Sequence, residues 1–235
     1  MSLFPKAHLW LLIPFFIAIT GFYFTYWSVF TEVPFRQHGH GLTATLWYVF
    51  LIVQPYLYTK GKLNLHRQLG FVGLFIAGGV VFSVLQIIPY NLLNPNMSQQ
   101  LKYGLTFIDC IVLIGFSTSV LMAMFCVKNT PKHGRWMIST VIWALVPALS
   151  RLIYFPMTII SEGEPILSFI QVIWLCLGLI LITLSLMMWD DYRKNKKVYN
   201  SYIFTVIGSI FFTALMEVMG ESTWWINLCD DVLKV

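Results

Sequence analysis

The stretch Gln37–Gly70, QHGHGLTATLWYVFLIVQPYLYTKGKLNLHRQLG, decides the fold class. It opens on a histidine pair, His38 and His40, and continues as an apolar run containing Trp47 and Gln54-Pro55. It leaves that run through a basic turn, Lys60-Gly61-Lys62, and enters a second apolar run at His66-Arg67. Two apolar runs of near-spanning length, joined by a few charged residues, describe a helical hairpin crossing a bilayer.

The rest of the chain repeats that pattern. Of its 235 residues, 58% are hydrophobic and 11% are charged, against about 25% charged in soluble domains. The mean hydropathy is +0.74. A soluble helical protein of this composition would leave apolar helix faces in water, so the chain is read as an integral membrane protein. Seven apolar segments are predicted, over about 8–30, 41–58, 68–90, 103–126, 136–156, 165–189 and 202–220. Each is predicted to be a helix, because backbone polar groups in lipid must bond within their own segment. No composition shift marks a second domain. The fold expected is therefore one all-α domain over 1–235, a seven-helix transmembrane bundle.

Lysine and arginine set the orientation. Eleven lie at the N-terminus or in the connections after the second, fourth and sixth segments, and three (Arg36, Lys102 and Lys234) lie on the opposite side. That bias places the N-terminus in the cytoplasm and the C-terminus outside. The net charge of +5 is thus topological and gives no indication of nucleic-acid binding. Lys6 precedes an apolar run that continues to Phe22-Tyr23-Phe24 with no small-residue cleavage site, so it is expected to be a retained span. The four cysteines form no C-x-x-C pair and are read as small apolar side chains.

Ionisable residues inside spans are the first functional candidates. Asp109, Arg151 and Glu217 fall at similar depth in the outer halves of three segments. His38, His40 and Gln86 fall on the same side. One outward-facing polar pocket is therefore expected. His38, His40, Asp109 and Glu217 would suit zinc or another transition metal. Alternatively, Arg151 with Asp109 and Gln86 would hold a small anionic or lipidic ligand, Arg151 clamping the anion. Asp109–Arg151 could also be a salt bridge that only locks helices, Glu217 could reach water by itself, and the H-x-H element could be a solvated helix start.

On the inner side, His66 and His133 each begin a returning helix with an arginine close by. They are candidates for axial ligands of a b-type haem, or, with Arg67 and Arg135, for contacts to lipid headgroups. The two hairpins turn through GKLNLHRQLG and KNTPKHGRWM in the same direction, a pattern compatible with a parallel internal repeat.

Several machines are excluded. The last segment has no lysine for a retinal Schiff base and no histidine for a ceramidase-like centre, and no G-x-S-x-G, P-loop or H-E-x-x-H occurs. The remaining classes are a metal- or haem-binding redox or ligand-binding protein, a carrier or sensor, and a non-catalytic scaffold or assembly factor.

The motifs GFYFTYW (21–27), HGHG (38–41), W-x6-QPYL (47–57), GKLNLHRQLG (61–70), HGRWM (133–137) and PALSR (147–151) resemble those of a family of uncharacterised bacterial polytopic membrane proteins of about seven spans. The resemblance covers about residues 18–156. It implies a multi-pass protein of the bacterial inner membrane and no particular activity.

Overall fold

The computed structural model describes residues 6–95 and 97–233. Lys234, one of the three basic residues assigned to the outer side, lies outside them. The described residues form helices and turns, with no strand among them. Five helices are long and apolar enough to cross a membrane: α4 (Leu63–Leu92), α5 (Gln99–Phe125), α6 (Thr130–Ile160), α7 (Phe169–Asn195) and α8 (Asn200–Glu221). Their outward faces are apolar, as a lipid-facing bundle requires. On α4, Phe71 and Phe75 stand one turn apart and are exposed, Phe75 to 83%.

The first two predicted segments take other forms. The first is interrupted: a short α1 (Ala7–Trp10), then α2 (Leu12–Gly21), then a π-helical turn at Tyr23–Trp27. The second is a single helix, α3 (Phe35–Thr59), one and a half turns longer at its start than its apolar run. Its first turns carry Arg36, Gln37, His38 and His40, which dilute its hydropathy.

Helices α5 and α6 also begin before their apolar runs, and polar side chains cap their first turns. Ser98 accepts from the Leu101 amide at α5, and Asn129 accepts from the Lys132 amide at α6. At α7, Ser168 and Gln171 form a reciprocal capping box. A final helix, α9 (Thr223–Leu233), was not among the predicted segments. It is held to α5 by Tyr103 Oη donating to Asp230 (2.6 Å) and by Trp225 Nε1 donating to the Tyr103 carbonyl (2.9 Å).

Helix α6 is the staff of the bundle, packed against α2, α5, α7 and α8. Its Trp143 is 1% exposed and donates to Ser119 of α5 (3.2 Å). Its Thr140 accepts from Trp47 of α3 (3.2 Å). Gly21 lets α2 lie directly on the α6 backbone at Ala148, where any Cβ would collide with the carbonyl. Small residues at such crossings are how helices approach closely in lipid, where no hydrophobic effect drives them together.

The two basic hairpins, α3–α4 and α5–α6, share a device. His66 in the first turn of α4 bonds through Nδ1 to the Gln54 carbonyl of α3 (3.3 Å). His133 in the first turn of α6 bonds through Nδ1 to the Ala123 carbonyl of α5 (2.9 Å). Each histidine staples its helix back onto the one before it.

Candidate functional site

A cavity of about 280 Å³ opens between α2, the π-turn segment and helices α3 to α6. Its walls are mostly apolar, from Phe15, Phe22, Trp47, Val80 and Phe116 among others. Three of the predicted site residues converge on it: His40 from α3, Asp109 from α5 and Arg151 from α6. The apolar box with a few convergent polar groups has the form of a small-molecule site.

The three polar groups are held differently. His40 Nδ1 meets Ser83 Oγ of α4 at 3.1 Å. Ser83 Oγ also lies 2.8 Å from the Val80 carbonyl and 3.0 Å from Thr43 Oγ1, so His40 is tied into a polar cluster between α3 and α4. Arg151 donates from Nη1 to the carbonyl of Pro147, one turn earlier (2.8 Å), and its guanidinium lies 4.9 Å from the centre of the Phe22 ring. Asp109 accepts no hydrogen bond from any described residue.

Asp109 and Arg151 attract one another across the cavity, yet no Arg151 nitrogen comes within 4.0 Å of an Asp109 oxygen. The helix-locking salt bridge expected as one alternative is therefore not formed. Both side chains stay partly accessible, through the cavity they line.

The other outer candidates lie elsewhere. His38 is two positions earlier on α3 than His40 and is turned onto an aromatic cluster. Its Nδ1 is 3.1 Å from Tyr26 Oη and its ring is 4.6 Å from that of Phe30. Glu217 is exposed on α8, where Trp174 Nε1 of α7 donates to it (3.4 Å). Gln86 is exposed on α4 and absent from the cavity wall. The predicted metal quartet of His38, His40, Asp109 and Glu217 is thus divided among three places. Among the described residues no three His, Cys, Asp or Glu side chains gather as a metal site. Depth along the span is readable from sequence; helix rotation, which separates His38 from His40 and Gln86 from the cavity, is not.

Several lining residues escaped the sequence reading: Thr25, Tyr26, Gln37, Tyr48 and Asn91. Part of the signal was present, since Gln37, Gly41, Ala44 and Tyr48 recur at the spacing of one helix face. Gly41 has a further use: a Cβ there would press on the Tyr26 ring, so the H-G-H-G element gives that ring its seat. Thr25 Oγ1 and Tyr48 Oη are buried with no hydrogen-bond partner among the described residues. Buried polar groups are normally bonded, so these two are available to something that enters the cavity.

A second charged constellation, at the opposite end of α6, was also missed. Arg135 is 1% exposed and cannot be the headgroup contact expected from its place in a basic turn. It grips Asp191 of α7 with two parallel bonds, Nε to Oδ2 at 2.6 Å and Nη2 to Oδ1. It also donates to the Pro131 carbonyl (2.9 Å) and stacks 4.0 Å from the centre of the Tyr199 ring. Asn195 completes the Asp191 carboxylate (3.2 Å). Asp191 was hidden because it sits just past the apolar run, in a segment that reads as a solvated anchor.

The fold and cavity define a helical, multi-pass membrane protein with an internal polar-headed pocket. The chain matches no protein-family model, no curated protein and no solved structure.

Proposed function

We propose that this chain binds a small amphipathic molecule in the cavity of His40, Asp109 and Arg151, as a carrier or sensor in the membrane. Arg151 holds the anionic end of the ligand, and the aromatic and aliphatic walls hold its apolar body. The observation that supports this most is the open Asp109–Arg151 geometry. Two opposite charges face one cavity without closing on each other, which leaves both able to bind a third party. A scaffold would gain from closing the pair. A metal site would need His38 and Glu217, which lie elsewhere.

The proposal includes seven membrane crossings, with the α1–α2 segment and α3 serving as the first two. It places the N-terminus in the cytoplasm, as the basic connections favour. The bacterial inner membrane is the location that the motif resemblance supports.

The test is native mass spectrometry of the protein released from its membrane, for wild type and Arg151→Gln. The expected result is a bound small-molecule mass in the wild type that is lost in the variant at unchanged melting temperature. Identical spectra would count against a ligand role for Arg151.

A further inference from the structure

The charges of the cavity restrict what can fill it. Arg151 uses one N–H on the Pro147 carbonyl, and a guanidinium has five to give. The Asp109 carboxylate accepts nothing from the described residues. The same chain closes a two-bond arginine–aspartate pair at Arg135–Asp191, so the open geometry at Arg151 is not for want of suitable groups.

A ligand with one negative charge would satisfy Arg151 and place its charge beside Asp109. A ligand with one positive charge would satisfy Asp109 and face Arg151. Either leaves one enclosed charge uncompensated, which low-dielectric surroundings make costly. A molecule carrying both charges compensates both.

Resting on the reading of this cavity as a ligand site, we infer that the ligand is a zwitterion, with an ammonium and an anionic group close together on an apolar body. The anion lies on the Arg151 guanidinium, the ammonium on Asp109, and the body against Phe22, Trp47 and Phe116. The hydroxyls of Tyr48 and Thr25 supply further bonds. A cavity of about 280 Å³ is at the small end of ligand pockets (roughly 300–1,000 Å³), sized for one ring or one headgroup.

Two sources offer this chemistry. One is a free aromatic amino acid. The other is an aminophospholipid headgroup whose chain lies in the apolar groove beside the cavity, between α2 and α6, where Phe24, Leu152 and Pro156 share a wall with Arg151.

The test is calorimetric titration of the purified full chain in maltoside micelles with four probes: L-phenylalanine, 3-phenylpropionate, phenethylamine and lysophosphatidylethanolamine. At least one zwitterion is expected to bind tenfold or more tighter than either singly charged analogue. L-phenylalanine binding identifies the free source, and lysophosphatidylethanolamine binding alone identifies the lipid. Asp109→Asn is expected to abolish the preference for the zwitterion over 3-phenylpropionate. Arg151→Gln, or Arg151→Lys where that variant does not fold, is expected to abolish or reduce the preference over phenethylamine.

If 3-phenylpropionate binds as tightly as the zwitterions and still depends on Arg151, the zwitterion assignment falls and the anion-binding cavity stands. If neither zwitterion binds, the assignment also falls. If none of the four binds and the bound mass in native spectra ignores Arg151, the ligand site falls with it.

Discussion

Helix α6 carries two arginines sixteen residues apart, Arg135 and Arg151, built on the same local plan. Each follows a proline by four residues and donates to that proline's carbonyl, and each lays its guanidinium on an aromatic ring, Tyr199 or Phe22. Sixteen residues is about 24 Å along the helix and nearly half a turn around it, so the two face different neighbours. Arg135 meets Asp191 in a closed, dry, two-bond pair. Arg151 faces Asp109 across a cavity and does not touch it. One element thus shows both arrangements of a buried charge: a lock between helices, and a charge left open to a cavity.

The comparison breaks most clearly on stability. Asp191→Asn leaves Arg135 buried without its counter-charge and is expected to cost about 3–5 kcal/mol in detergent unfolding. Asp109→Asn is expected to cost distinctly less, about 1–2 kcal/mol, because Arg151 loses a nearby opposite charge but no hydrogen bond to a described residue is lost. Equal losses would mean that the outer pair is also structural. Exchanging the partners sharpens the point. Arg135→Asp with Asp191→Arg is expected to regain part of the stability lost by Asp191→Asn. The corresponding exchange of Asp109 and Arg151 is expected to leave stability unchanged and to fail to restore ligand binding.

Arg151→Gln is next in size. Losing a charge-assisted contact worth about 1.5–3 kcal/mol should weaken ligand binding by roughly ten- to a hundredfold, read as loss of the bound mass, with little change in melting temperature.

Gly21→Ala probes how the open site is positioned. The added Cβ meets the Ala148 backbone, so α2 must shift from α6, at about 1–3 kcal/mol. Phe22 follows Gly21 directly, so its ring should leave Arg151, and ligand affinity should fall together with stability. Unchanged affinity would show that Phe22 does not position Arg151.

The smallest effect is expected at His38→Ala. The loss of its bond to Tyr26 should cost about 0.5–1.5 kcal/mol and leave ligand binding intact. His40→Ala removes a cavity wall and is expected to change binding. If the two variants behave alike, the structure's separation of His38 from His40 has no functional consequence.

The bundle was legible in the sequence wherever length and apolarity sufficed. The five long helices lie close to their predicted segments because lipid requires a continuous hydrogen-bonded helix there. Legibility failed where polar residues are helical. The start of α3 at Phe35, the capped first turns of α5 and α6, and α9 all carry residues that a hydropathy window reads as connection. The break in the first segment, at the π-turn of Tyr23–Trp27, has no signature in apolarity at all.

The candidate site was legible in part. Asp109, Arg151 and His40 stand out because charge and histidine are rare within apolar runs, and all three line one cavity. His38, Gln86 and Glu217 share their depth and yet lie elsewhere, because depth follows from position along a helix and facing follows from how helices pack. Asp191 was overlooked and Arg135 read as a loop charge for the converse reason: each sits among charged residues at the edge of an apolar run, while the residues around it in space are buried.

Composition and run length are enough to make the chain helical, to suit it to a bilayer, and to require that a few charged side chains be accommodated within it. Both depend on each residue's own transfer free energy. Which arginine is locked and which is open is settled by packing. That choice depends on helix rotation and on whether a carboxylate of a neighbouring helix comes within hydrogen-bonding distance, and neither is a property of any residue alone.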